Sequence, residues 1–321
     1  MTPKPRLGIR LHGGLPPQRC VELAGAAEAH GFASVWFAEN PLERGALPAL
    51  AACAAATSRL ELGIGVWNPF LRHPAQIAMD VGALDELSRG RLTLGLGSGL
   101  ANPIRRLGVD NSRTLAATKD TFTIVRGLLA GETVTYEGTA FSVDNAKLAW
   151  KPGRQHLPIL MAARGKRALA LAAERADGLM ISNMCPPGFA TWAAAIARPK
   201  RMVQYVPCVV ATSRLDALST IRPVLAGMLK TFWALGQTVP AARASLVDHS
   251  GIAAADFATK AVAAPPSALD ERFVKAFALA GTAEECHASI AAYAKAGVTD
   301  LVLTFVGPDP IADMARFGEW A

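Results

Sequence analysis

The chain has 321 residues, 51% of them hydrophobic, and carries 33 Lys and Arg against 26 Asp and Glu, a formal net charge of +7. That is enough apolar material for one barrel of roughly 250 residues with insertions, or for two ordinary domains. No apolar run reaches the roughly 18 residues of a membrane span, the basic residues are dispersed without the aromatic interleaving of a nucleic-acid binder, and five scattered cysteines with no C-x-x-C fit a reduced cytoplasmic protein without a metal site.

The N-terminus has basic residues but no following hydrophobic stretch, so no secretory signal is expected. Residues 7–11 read as a strand and 16–30 as a helix, with Pro near its start and Gly31 past its end. Residues 34–38 are a second strand, followed by a helix over about 48–57. Residues 62–67 are a third strand, and the helix over 74–88 carries Ile77, Val81, Leu84 and Leu87 on one stripe. Residues 92–96 are a fourth strand. Short apolar strands, each followed by a helix, require a parallel sheet covered by helices.

The rhythm then loosens. A helix over 114–129 precedes an alternating stretch, 133–150, that reads as a β-hairpin turning at Glu137-Gly138. Residues 158–162 are a fifth strand with a helix over 165–175, and 178–181 and 202–211 are the sixth and seventh. An Ala-rich stretch over about 215–279 reads as helical, with breaks at Gly236, Pro240 and Pro265-Pro266. A helix over 282–296, an eighth strand over 301–305 and a short helix after Pro310 complete the count. Eight strand-helix units predict an α/β fold, a (β/α)8 TIM barrel spanning 1–321 as one domain. Its insertions are the β-hairpin and a helical segment before the last strand. A doubly wound open sheet is the alternative.

Gly95-Leu96-Gly97-Ser98-Gly99 fails as a dinucleotide fingerprint, because Leu100 stands where a glycine is required. It fails as a nucleophile elbow because Leu96 does. What remains is backbone that something can approach closely. In a barrel, chemistry sits at the C-terminal strand ends. Here these are His12-Gly13-Gly14, Glu39-Asn40-Pro41, Gly65-Val66-Trp67-Asn68, Gly97-Ser98-Gly99, Ala163-Arg164-Gly165 and Ser182-Asn183-Met184. Small and polar residues dominate and acids are sparse, as suits a bound cofactor that carries the chemistry. Glu39 is either a base facing the mouth or a structural acceptor for backbone and Arg donors. His12 and His73 read mainly as structural histidines. The helix start at Ala163-Arg164-Gly165-Lys166, with Arg167 beyond, offers free N–H groups and positive charge to an anion such as a cofactor phosphate.

These stretches resemble the luciferase-like superfamily, and within it the coenzyme F420-dependent methylenetetrahydromethanopterin reductase-like branch. The resemblance lies in 62–69 with Arg72-His73-Pro74, in Leu84-Asp85-Glu86-Leu87-Ser88 with Gly90-Arg91, in Gly95 to Gly99, in the hairpin over 134–141, in Ala162-Ala163-Arg164-Gly165 and in Ala176-Asp177-Gly178. It implies an oxidoreductase using coenzyme F420, or alternatively FMN. The tricyclic ring would rest on a third-strand bulge with a non-proline cis peptide, matching Gly65-Val66. Asn68, Gly97, Ser98, Gly99, Ala162 and Ser182 would line the cofactor, and Ala163 to Lys166 would hold its phosphate. Glu39 and Asn40 are the candidate catalytic residues. Relatives that oxidise alcohols carry His and Glu where this chain has Asn40 and Leu100, so hydride transfer at a C=C or C=N centre of a small molecule is expected instead. An FMN monooxygenase, which would need a flavin reductase as partner, and a flavin binder without turnover are the alternatives. A homodimer is implied.

Overall fold

The computed structural model describes residues 3–99 and 104–318. Strand β1 (Arg6–His12) is followed by α1 (Pro17–Ala29), β2 (Ser34–Ala38), α2 (Ala46–Ala56), β3 (Glu61–Trp67), α3 (Pro74–Leu87) and β4 (Leu92–Leu96). After α4 (Thr114–Leu129) comes an antiparallel hairpin, β5 (Val134–Tyr136) and β6 (Val143–Ala146). The alternation resumes with β7 (Ile159–Ala162), α5 (Lys166–Arg175), β8 (Gly178–Ile181), α6 (Pro187–Ala197) and β9 (Met202–Val210). A helical insertion runs from α7 (Arg214–Gly236) to α8 (Glu271–Phe277). Strand β10 (Leu279–Gly281), α9 (Ala283–Lys295), β11 (Asp300–Phe305) and α10 (Pro310–Phe317) follow.

Strands β1, β2, β3, β4, β7, β8, β9 and β11 pair in parallel in that order, and β11 returns to β1, closing the barrel. Side-chain parity then sorts the core. On β1, Leu7, Ile9 and Leu11 enter the large apolar layer under the helices, so Gly8, Arg10 and His12 face the lumen. Trp36, Leu160, Met180, Val203, Tyr205 and Val302 fill that lumen as a second layer. Glycines make room for them: a Cβ on Gly63 would lie 2.1 Å from Trp36 Cδ2, and one on Gly95 2.2 Å from Met180 Sδ.

The N-terminal end of the lumen is closed by charge pairs. Arg201 meets Asp300 at 2.9 Å and Glu61 at 2.7 Å, while Arg6 meets the same two acids at 2.8 and 2.6 Å. Beside it, the Asp85-to-Arg91 motif ties α3 to β4. Arg91 donates to the carbonyls of Ser88, Leu60, Ala54 and Thr57 at 2.7–2.9 Å. The buried Asp85 accepts from Leu92 N and from Arg154, which joins the post-hairpin segment to the barrel.

The structure adds two elements to the expected list. Helix α6 follows β8, and β10 lies inside the stretch expected to be wholly helical. The three residues of β10 pair with the overhanging end of β9, Leu279 with Cys208 through Gly281 with Val210. Tertiary pairing there outweighs the helical leaning of an Ala-rich sequence. The hairpin is also wider than a turn at Glu137-Gly138, because pairing stops at Tyr136 and restarts at Val143. Among the described residues no helix is long and apolar enough to cross a membrane.

Candidate active site

The C-terminal strand ends converge on one rim. The β3–β4 register shifts between Gly65 and Trp67, which is the expected bulge. The Gly65-Val66 peptide is cis, as expected. The phenol of Tyr205 on β9 donates to Gly65 O across the lumen at 2.8 Å. Burial pushes that phenol well above its ordinary pKa, with the Arg10 charge opposing, so it stays a protonated donor. Sequence reasoning did not select Tyr205; a phenol in the middle of a mostly apolar strand was the available signal.

Val66, Gly97 and Ala162 come together from three neighbouring strands. A Cβ on Gly97 would stand 2.7 Å from Ala162 Cβ and 3.4 Å from Val66 Cγ1. Val66 and Ala162 are both partly exposed above the lumen layer. The result is a floor of small apolar groups that a planar ring can cover without displacing a side chain. Gly99 adopts φ 57°. Asn68 is buried, donates to Ser98 O and accepts from Phe70 N at 2.8 Å, so both ends of its amide hold the rim loops together. Ser182, past β8, is exposed. Leu100 lies outside the described residues.

Glu39 follows β2 and its side chain is 6% exposed. Its Oε1 accepts from Arg72 Nη1 at 2.5 Å and Trp67 Nε1 at 3.1 Å. Its Oε2 accepts from Ala46 N at 2.7 Å and Arg72 Nη2 at 3.4 Å. A carboxylate offers about four lone-pair sites, and four donors take them. Of the two readings of Glu39, the acceptor for backbone and Arg donors describes this geometry. Asn40 donates to Glu43 Oε2 at 3.2 Å on the exposed rim.

The two histidines serve turns. His12 Nδ1 accepts from Gly14 N at 3.1 Å, and His73 Nδ1 accepts from Ala75 N at 3.2 Å, capping α3. Burial and then the Arg10 charge push His12 below its ordinary pKa.

Helix α5 begins after Gly165 with no side-chain cap on its first N–H groups, and Lys166 and Arg167 are exposed beside them. Arg164, next to that helix end, is held by neighbouring segments. It donates to Ser245 Oγ at 2.6 Å and Asn183 O at 2.9 Å, and lies 4.9 Å from the Phe232 ring centroid. These contacts anchor the helical insertion to the rim. A separate cavity of about 270 Å³ opens at the N-terminal end; Lys4, Arg6, His30, Phe32 and Phe317 are among its lining residues, and it holds no carboxylate, thiol or hydroxyl side chain. The rim is therefore the candidate site.

Residues 3–300 match the family described as luciferase-like monooxygenase. A 5,10-methylenetetrahydromethanopterin reductase of Methanolobus tindarius is 31% identical over 317 residues, covering 94% of this chain and 95% of that protein. An F420-dependent glucose-6-phosphate dehydrogenase of Nakamurella multipartita is 33% identical over 205 residues, 60% of each chain. The structure of the coenzyme F420-dependent tetrahydromethanopterin reductase from Methanopyrus kandleri superposes with a TM-score of 0.83 at 23% identity, over 99% of this chain and 98% of that one.

Proposed function

The chain belongs to the luciferase-like monooxygenase family, and from that premise we propose that it is a coenzyme F420-dependent oxidoreductase moving a hydride to or from a small organic substrate. The similarity to F420-dependent reductases and dehydrogenases supports the cofactor. The observation that carries the site is the floor of Gly97, Ala162 and Val66, which fits a flat tricyclic ring. When bound, a deazaflavin supplies two-electron hydride chemistry.

The residues of this chain supply the rest. Gly65, Val66, Gly97 and Ala162 form the surface under the ring, with Asn68, Ser98, Gly99 and Ser182 shaping its rim. Gly165 and Lys166, at the uncapped start of α5, would hold the phosphate through backbone N–H groups and the Lys166 ammonium, beside Ala163, whose own N–H donates to Met180 O. Glu39 acts by position: it fixes Arg72 and Trp67, and Asn40 shapes the adjoining loop. In this reading 1–321 is one cytoplasmic barrel domain and forms a homodimer. Light scattering should give twice the 33.7 kDa chain mass; a single-chain mass removes the dimer.

Titration of the purified protein with F420 and, separately, FMN tests the reading through cofactor fluorescence. Micromolar binding that prefers F420 is expected. Preference for FMN with oxygen uptake would establish a monooxygenase instead, and tight retention without turnover of any substrate would leave a binder.

A further inference from the structure

Two ends of one lumen treat arginine differently. At the N-terminal end Arg6 and Arg201 share two carboxylates within 3 Å. Toward the mouth, Arg10 has no ion pair and no hydrogen bond among the described residues; its one contact of this kind is with the Tyr205 ring, 5.6 Å from guanidinium carbon to centroid. Its Nε is buried without an acceptor, yet the residue keeps part of its surface open. The nearby acid, Glu43, acts on Arg10 through its charge without a hydrogen bond to it and accepts from Asn40. Thr304 on β11 adds a second orphan. It lies one step beyond the Ile9–Leu303 pair, on the strand beside Arg10, and its Oγ1 is buried with no partner. Burying a guanidinium without an acceptor is unfavourable, and a planar oxyanion offsets that through paired N–H donors.

We propose that Arg10, with Thr304 beside it, binds a carboxylate of the substrate, so that the enzyme acts on carboxylate-bearing compounds. This rests on the oxidoreductase reading, since it places the substrate above the lumen and beside the cofactor floor. Arg10 stands beside Tyr205, which packs with Trp36 and Met180 in the lumen layer, and burial, then the Arg10 charge, lower the His12 pKa.

The test uses benzoate as probe and benzamide as its uncharged counterpart, titrated calorimetrically into the protein with and without F420. Wild type should bind benzoate and bind benzamide at least tenfold more weakly. Arg10→Met should lose the benzoate preference by at least tenfold with an unchanged affinity for F420. Arg10→Lys, which keeps the charge but not the fork, should retain part of it and serves as the comparison if Arg10→Met does not fold. Absence of benzoate binding in wild type, or equal binding in wild type and Arg10→Met, overturns the proposal. A parallel fall in F420 affinity also overturns it, by assigning the anion to the cofactor. Failure of wild type to bind F420 would strike the cofactor reading alone, because the benzoate comparison without F420 still reports on Arg10.

Discussion

Arg72 reaches Glu39 with two guanidinium nitrogens while its guanidinium carbon lies 4.7 Å from the centre of the Trp67 ring, whose own Nε1 donates to the same carboxylate. The three residues come from the ends of β2 and β3 and from the turn before α3, so one acid clamps three segments of the rim. Glu39→Ala should cost about 3–5 kcal/mol, since it leaves the Trp67 and Ala46 donors without their acceptor and Arg72 with only the Asp80 carboxylate, 3.9 Å from its Nε. Glu39→Gln should cost about 1–3 kcal/mol through a weakened charge-assisted network. Urea denaturation checks both. An unchanged denaturation curve for Glu39→Gln together with abolished cofactor-dependent turnover would return Glu39 to the role of a base facing the mouth.

Two glycines should respond oppositely to the same methyl group. Gly97→Ala places its Cβ 2.7 Å from Ala162 Cβ, raising the cofactor floor. F420 affinity should fall at least tenfold, about 1.4 kcal/mol. Gly25, inside α1, has no heavy atom within 4 Å of an added Cβ, so Gly25→Ala should stabilise the fold by about 0.5–1 kcal/mol. Equal F420 affinity in Gly97→Ala would remove the floor from the binding site.

Asp270 caps α8 by accepting from Arg272 N at 2.9 Å, and it also pairs with the Arg272 side chain. The Arg272 side chain, then its backbone N–H, draw the carboxyl down to about 2. A depressed folded-state pKa adds stability above the unfolded value that disappears as pH falls through the folded one. Asp270→Ala should therefore lose about 0.5–2 kcal/mol at pH 7. The difference from wild type should shrink as pH falls from about 4 towards 2. A difference that stays constant across that window would mean that the charged carboxylate is not what caps the helix.

All five cysteines are buried and free. Burial pushes Cys20 up to about 11 and Cys53 to about 12, so neither forms thiolate near neutrality. Ellman's reagent at pH 8 should label almost nothing in the native protein within minutes and all five thiols after denaturation. Rapid labelling of one thiol in the native state would reveal opening of a helix–sheet layer.

The sequence by itself determined the alternation of strands and helices, while closure into a barrel rather than an open sheet was decided by the pairing of β11 with β1 and of β8 with β9. The spacing of its apolar segments is a local property, and 7–11, 34–38, 62–67 and 92–96 fall within a residue of β1 to β4. It also placed the glycines of the rim, because close approach leaves a mark that one residue type carries. Tertiary structure alone decided which side chains meet. Nothing local says that Ala162 and Val66 flank Gly97, that Arg164 turns to Ser245, or that 279–281 pairs with the end of β9. Those contacts join residues far apart in the chain and depend on barrel closure and on the parity of each strand. Arg10 shows the boundary most plainly: its identity is written in β1, but only closure of the barrel put it in the lumen with its Nε lacking an acceptor.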